Sequence, residues 1–446
     1  MSQETTMDRR TFLKVAAMTG LAVSAPLGVR RAFAEPAPYK GPFFVLVNAS
    51  GGWDPVYLCD PKPKGPLNRR YDAPASVGKI NYAPIGIDDA SLGLDAGSSA
   101  YLMSNQQFFE KYAASLTVLN GVDMATNNHD GGSRATWSGR LAEGFPSFGA
   151  LVAASRAPES SLAYISSGGF DATEGIIPLT RMSSIDALKR VAFPNKLDPN
   201  DPESELYHNN NTAARIRKAQ EARLAAQLDQ QRLPRVKAAM NELMLARASD
   251  DVLKDLVLPG ELVSLPGYQL GDLQSLQQQV QLAVAAFKAG MAVAVNLNLG
   301  GFDTHGNHDR DQVLQIAKLL KGVDFLMSEA DAAGIADSLV VMMGSDFARG
   351  PGYNGDSEYD GKDHWSITSA MLMGKGIGRG RVVGGTTDDQ RALAVDPGSL
   401  ALKDGGKVLK PETIHLALRK LAGVADNELA TQFPLAGDDL PKLLTG

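Results

Sequence analysis

Cysteine is almost missing from this 446-residue chain. Cys59 is the only one, so no intramolecular disulfide can brace the fold, and stability has to come from packing and from any bound metal. Following closely on the first predicted strand, Cys59 reads as a small buried packing residue. Basic blocks are missing too: the formal charge is −6 and the isoelectric point about 5.6, which excludes nucleic acid and anionic lipid surfaces as partners. Internal repeats and low-complexity tracts are absent. No apolar run reaches the ~20 residues a bilayer span needs, so no transmembrane anchor is expected.

The N-terminus carries Arg9-Arg10-Thr11-Phe12-Leu13-Lys14, a mildly apolar run from Val15 to Val29, and Ala32-Phe33-Ala34 before Glu35. Charged start, apolar middle and small-residue cleavage site make a secretory signal. The paired arginines resemble the twin-arginine consensus, with Asp8 where Ser or Thr is commoner. Residues 1–34 are therefore expected to be a signal peptide handled by the twin-arginine translocase, and residues 35–446 a periplasmic or secreted protein that folds, and takes up metal, before export.

After the signal, Pro42 to Ala49 is an apolar, β-branched run that stops at Ser50-Gly51-Gly52, which predicts a buried strand ending in a glycine turn. Leu116 to Leu119 predicts another, leading through a polar stretch to a helix over Arg134 to Leu141. Met291 to Leu299 and Ser338 to Met343 repeat the design, ending just before Asp303 and Asp346. Helices are predicted over Gln274 to Lys288 and Pro411 to Ala422. Alternating strands and helices predict an α/β fold with a mostly parallel sheet, whose sites lie in loops at the carboxyl ends of strands. From Asn209 to Ala248 the chain turns charged and alanine-rich, with Pro234 breaking the pattern. This predicts a helical insertion, about 195–260, serving as a lid or a partner surface.

The chain has six histidines. Four of them, His129, His305, His308 and His364, lie in acidic or glycine-rich loops, each near a carboxylate. Asp54 and Asp346 each follow a predicted strand. Imidazole and carboxylate together suit a divalent metal, zinc first, with manganese, calcium and iron compatible. His208, in an Asn-rich loop, and His415, on a helix, read as ordinary surface or hydrogen-bonded residues.

Five short motifs, in order, carry a resemblance: Gly51-Gly52-Trp53-Asp54, His129 through Gly139-Arg140, Gly301-Phe302-Asp303-Thr304-His305, Ser345-Asp346-Phe347-Ala348-Arg349 and Gly361-Lys362-Asp363-His364-Trp365. They resemble the secreted proteins numbered 1501 among domains of unknown function, a distant branch of the alkaline phosphatase and sulfatase superfamily. The resemblance implies an alkaline-phosphatase-like three-layer sandwich with one or two metals on the carboxyl edge of its sheet. Their ligands would be Asp54, Asp303, His305, Asp346 and His364, with His308 a further one and Asp363 orienting His364.

Sulfatases carry Cys-x-Pro-Ser-Arg at a helix head, ending Thr-Gly-Arg. Aligning that ending with Gly139-Arg140 puts His129 where the nucleophile would be, and Arg134 one place late. His129 is thus a nucleophile, a ligand or a general acid, and Arg134 an oxygen clamp or a helix-surface residue. Phe347 stands where alkaline phosphatases have a histidine, which counts against a second metal. Three carboxylates facing two dications would leave a surplus of positive charge, favouring an anionic ester substrate. The implied function is an exported metal-dependent hydrolase or transferase of phosphate or sulfate esters. The alternative is a catalytically inactive, metal-stabilised binding or assembly protein with an envelope partner.

Overall fold

The computed structural model describes residues 38 to 445, apart from residues 161, 182–192, 200, 202, 234, 235, 238 and 241–260. The signal motif, Pro234 and the end of the charged stretch lie outside the described residues.

Eight strands form the main sheet: β1 (Phe43–Ala49), β2 (Leu116–Asp123), β3 (Tyr164–Ser166), β4 (Thr180–Arg181), β5 (Ala294–Leu299), β6 (Leu339–Ser345), β7 (Ile367–Gly374) and β8 (Arg381–Gly384). Their spatial order is β8-β2-β7-β6-β1-β5-β3-β4. All pairings are parallel except those of β7, which runs against both β2 and β6. All seven residues of β1 are buried, the continuous apolar signature of a strand covered on both faces.

Seven helices concern the core and site: α1 (Asn105–Tyr112), α2 (His129–Ser138), α3 (Phe148–Arg156), α4 (Asn210–Gln230), α5 (Gly271–Lys288), α6 (His308–Ala332) and α7 (Pro411–Leu421). Successive residues of β1 point to opposite layers. Val45 and Val47 pack with Phe108 of α1, Val280 of α5 and Leu320 of α6. Phe44 and Leu46 pack with Trp137 of α2, Val152 of α3 and Leu418 of α7. The protein is an α/β sandwich of helices on both faces of a mostly parallel sheet.

Helix α2 starts five residues earlier than the sequence pattern predicts. The Asn128 side chain accepts from the Gly131 N–H and caps it, and Gly139 closes it in the left-handed conformation. Gly131-Gly132 looks like a helix breaker, yet Gly132 is a contact: a Cβ there would sit 2.1 Å from the Asp346 carbonyl oxygen. Helix α4 is capped by Asn209 and buries only Leu224 and Leu228, and among the described residues this stretch gives no strand to the main sheet.

Candidate metal centre

Strand register determines which loops meet. Ala49 stands opposite Leu299 on one side and Ser345 on the other, so β1, β5 and β6 end level. The loops carrying Asp54, Asp303 and Asp346 therefore leave the sheet from one edge. Gly51 permits the closest approach, with a positive φ of 119° and a position where a Cβ would meet the Asp303 backbone nitrogen at 2.5 Å. Ser345 Oγ accepts from the Gly52 and Trp53 N–H groups, tying this turn to β6.

Two groups of side chains form at this edge. The first opens to solvent. His129, Asp303 and His364 each present one ligand atom, all within 4.8 Å of one another. His305 joins them, its Nε2 being 2.9 Å from His364 Nε2 and 3.2 Å from Asp303 Oδ1. Asp346 approaches through its Oδ2, 2.9 Å from His129 Nδ1. Asp363 lies 3.3 Å from His305 Nδ1, so the residue it contacts is His305 and not His364 as the resemblance implied. Phe347 packs its buried ring against His129 and His364, with centroids at 4.8 and 4.3 Å.

Partner chemistry orients the rings. His364 Nδ1 is 2.9 Å from the Asn127 carbonyl, an acceptor only, so Nδ1 carries a proton, and Nε2 faces Asp303 Oδ1 at 3.2 Å. Asp346 Oδ2 likewise meets His129 Nδ1, and His129 Nε2 stands 3.5 Å from Asp303 Oδ2. Burial pushes the Asp346 carboxyl up, partly offset by His129 and the Gly51 N–H. Its Oδ1 is buried with no hydrogen-bond partner, as expected of an atom awaiting a cation. Burial alone would raise the Asp303 carboxyl as well, but the Arg349 guanidinium, 2.7 Å away, holds it below its usual range. Imidazole nitrogens, an ionised carboxylate and an orphaned carboxylate oxygen are a donor set that fits a divalent ion.

The second group is sealed. Asp54, His308 and Lys362 have no exposed side-chain surface. Asp54 Oδ2 accepts from Lys362 Nζ at 2.7 Å and lies 2.9 Å from His308 Nε2, while Asp54 Oδ1 accepts from the Val56 N–H. His308 Nδ1 meets Thr304 Oγ1 at 2.8 Å. Burial would raise the Asp54 carboxyl, but Lys362 and His308 more than offset it and hold it low. Burial also lowers the His308 pKa, keeping that imidazole neutral.

Of the residues singled out in the sequence, the structure thus joins His129, Asp303, His305, Asp346 and His364. It sets Asp54 and His308 in the adjoining sealed group, outside the set of ligand atoms that converge. Arg134 joins neither, because its guanidinium bonds the Leu141 carbonyl and Glu143. Sequence reasoning missed Arg349 and Lys362. Arg349 is buried and donates to the carbonyls of Gly51, Gly52 and Lys362 besides Asp303. The signal was present: each is a lone cation inside a glycine-rich or apolar motif that also holds a site acid. Cys59 is buried, its thiol pushed up by burial, and touches Asn120 at 3.8 Å, as a packing residue should. His415 is also internal, bonded through Nε2 to the Thr136 carbonyl.

Fold and site together define an α/β protein with a histidine and aspartate cluster on the carboxyl edge of its sheet. Residues 44–401 match the family described as "Protein of unknown function (DUF1501)", and the chain belongs to that family. No curated protein matches it. Among solved structures, it is similar to the PsFucS1 sulfatase from Pseudoalteromonas sp. at 12% identity and a TM-score of 0.36, with 97% of this chain and 78% of that one covered. It is similar to the lipoteichoic acid synthase LtaP from Listeria monocytogenes at 10% identity and a TM-score of 0.35, covering 96% and 82%. It is also similar to a protein in the alkaline phosphatase superfamily from Vibrio parahaemolyticus at 10% identity and a TM-score of 0.34, covering 98% and 81%.

Proposed function

We propose that the protein is an exported, metal-dependent hydrolase or transferase of phosphate or sulfate esters. One observation carries this reading. Nitrogen and oxygen ligand atoms of His129, Asp303 and His364 converge at a solvent-open edge, and each is held by a second residue behind it. Asp346 orients His129, Arg349 orients Asp303, and the Asn127 carbonyl fixes the proton of His364 on the far side of the ring. Such support sets side chains in advance for an ion and an anionic ligand. When bound, a divalent ion supplies Lewis acidity toward an ester oxygen.

His129 acts in this reading as a ligand or a substrate-orienting group. Its Nδ1 meets Asp346, and its Nε2 points into the cluster. The group is open enough for a ligand to arrive, since the side chains of His129, Asp303 and His305 are 41, 47 and 48% exposed. Export follows from the paired arginines ahead of the apolar run, and no helix of the described residues is long and apolar enough to cross a membrane.

The test is turnover of chromogenic phosphate monoesters, phosphate diesters and sulfate esters by the zinc-loaded and chelator-treated protein. Chelator-sensitive hydrolysis of one class, lost in His364→Ala, is expected. Stoichiometric metal without turnover of any ester would leave the metal-stabilised binding protein as the surviving reading.

A further inference from the structure

Resting on the metal-dependent reading above, we infer that the site takes one divalent ion per chain. The Lys362 ammonium permanently occupies the second cation position, beside Asp54 and His308.

Every ligand atom of the sealed group already has a hydrogen-bond partner. Asp54 Oδ2 is shared by Lys362 Nζ and His308 Nε2, and Oδ1 takes the Val56 N–H. His308 has both ring nitrogens engaged, the second by Thr304 Oγ1. Lys362 Nζ also donates to the Leu67 carbonyl at 2.6 Å. A dication entering here would have to break these bonds and then stand beside an ammonium in an enclosed, weakly screened space, where like charges repel strongly. None of the three side chains touches bulk solvent, which therefore neither screens the charges nor replaces the bonds lost.

A second buried cation reinforces the arrangement. Arg349 donates to Asp303 and to the Lys362 carbonyl, so positive charge stands behind Asp303 as Lys362 stands behind Asp54. Only the exposed group keeps an orphaned oxygen, Asp346 Oδ1. Two fixed cations thus supply in covalent form the positive charge that a second ion would bring, and the N/O pair of Asp54 and His308 serves Lys362.

Zinc titration of the metal-free protein by calorimetry, with elemental analysis of the product, tests this. One zinc per chain is expected. Two would overturn the inference while leaving the metal-dependent reading intact, and none would overturn that reading itself. Asp54→Asn separates the roles further: in competition with a chelating indicator its zinc affinity should stay within about threefold of the parent, while its melting temperature falls. A loss of more than thirtyfold would make Asp54 a ligand and sink the inference. Should that variant not fold, the parent stoichiometry decides alone.

Discussion

Lys362 Nζ lies 2.7 Å from Asp54 Oδ2, and neither side chain reaches solvent. Removing one member of such a pair strands the other as an uncompensated buried charge, which typically costs ~3–5 kcal/mol. Lys362→Met should therefore destabilise by about that much in urea unfolding. Adding Asp54→Asn, which removes the stranded charge, should recover a large share of it. Equal stability of the single and double variants would show that Lys362 acts through packing alone.

Zinc should stabilise the folded protein through preferential binding, by about 2.7 kcal/mol at a hundredfold excess over the dissociation constant. His364→Ala should abolish most of that gain. Arg134→Ala should keep it, because Arg134 is tied to Leu141 and Glu143. Thermal melts with and without zinc read all three proteins, and an Arg134→Ala response as weak as that of His364→Ala would contradict the site as drawn.

His415 gives a pH dependence away from the cluster. Burial lowers its pKa to about 4, whereas in the unfolded chain it returns to ~6.5. Between these values the unfolded state binds more protons, so stability rises with pH across the window. The contribution is complete above about 6.5 and is lost as pH falls towards 4, on the order of 3 kcal/mol in all. His415→Gln should flatten the unfolding free energy over that range relative to the parent. Parallel profiles for the two proteins would show that His415 stays neutral for another reason or is not buried.

Much of this architecture is readable before any coordinates. The strands β1, β5 and β6 announce themselves because both their faces are buried, leaving unbroken apolar runs that stop at small residues. Their level ends then bring Asp54, Asp303 and Asp346 to one edge. The division of that edge into an open and a sealed group is not readable. It depends on Lys362 reaching Asp54 and Arg349 reaching Asp303 across long stretches of sequence, and a charged loop residue is exposed by default. The hydrophobic pattern starts helix α2 late, at Arg134, for a related reason: Gly131 and Gly132 carry a poor helix propensity, which the Asn128 cap and the contact with Asp346 override, so that the helix begins at His129.

Export should depend on Arg9 and Arg10, the paired arginines ahead of the apolar run. Changing both to lysine keeps the charge and removes the pair, so precursor should accumulate in the cytoplasm. Fractionation with immunoblotting shows it, and normal export in a strain lacking the twin-arginine translocase would refute the route.

Gly132 and Gly131 are neighbours in the first turn of α2, yet they should respond oppositely to alanine. In an ordinary helix, glycine to alanine gains up to ~1 kcal/mol. At Gly131 the added methyl would meet Leu141 Cδ1 at 3.0 Å, the far end of a flexible side chain that can swing aside, so Gly131→Ala should be near neutral. At Gly132 it would stand 2.1 Å from the Asp346 carbonyl oxygen and 2.8 Å from the carbonyl carbon, backbone that cannot move without displacing Asp346. Overpacking of this kind typically costs 1–3 kcal/mol, which outweighs the propensity gain. The displacement should also separate Asp346 from His129, now 2.9 Å apart, so Gly132→Ala should bind zinc at least tenfold more weakly than Gly131→Ala. Calorimetric titration of both variants measures it, and equal zinc affinities would show that the approach of α2 to Asp346 does not set the geometry of the site.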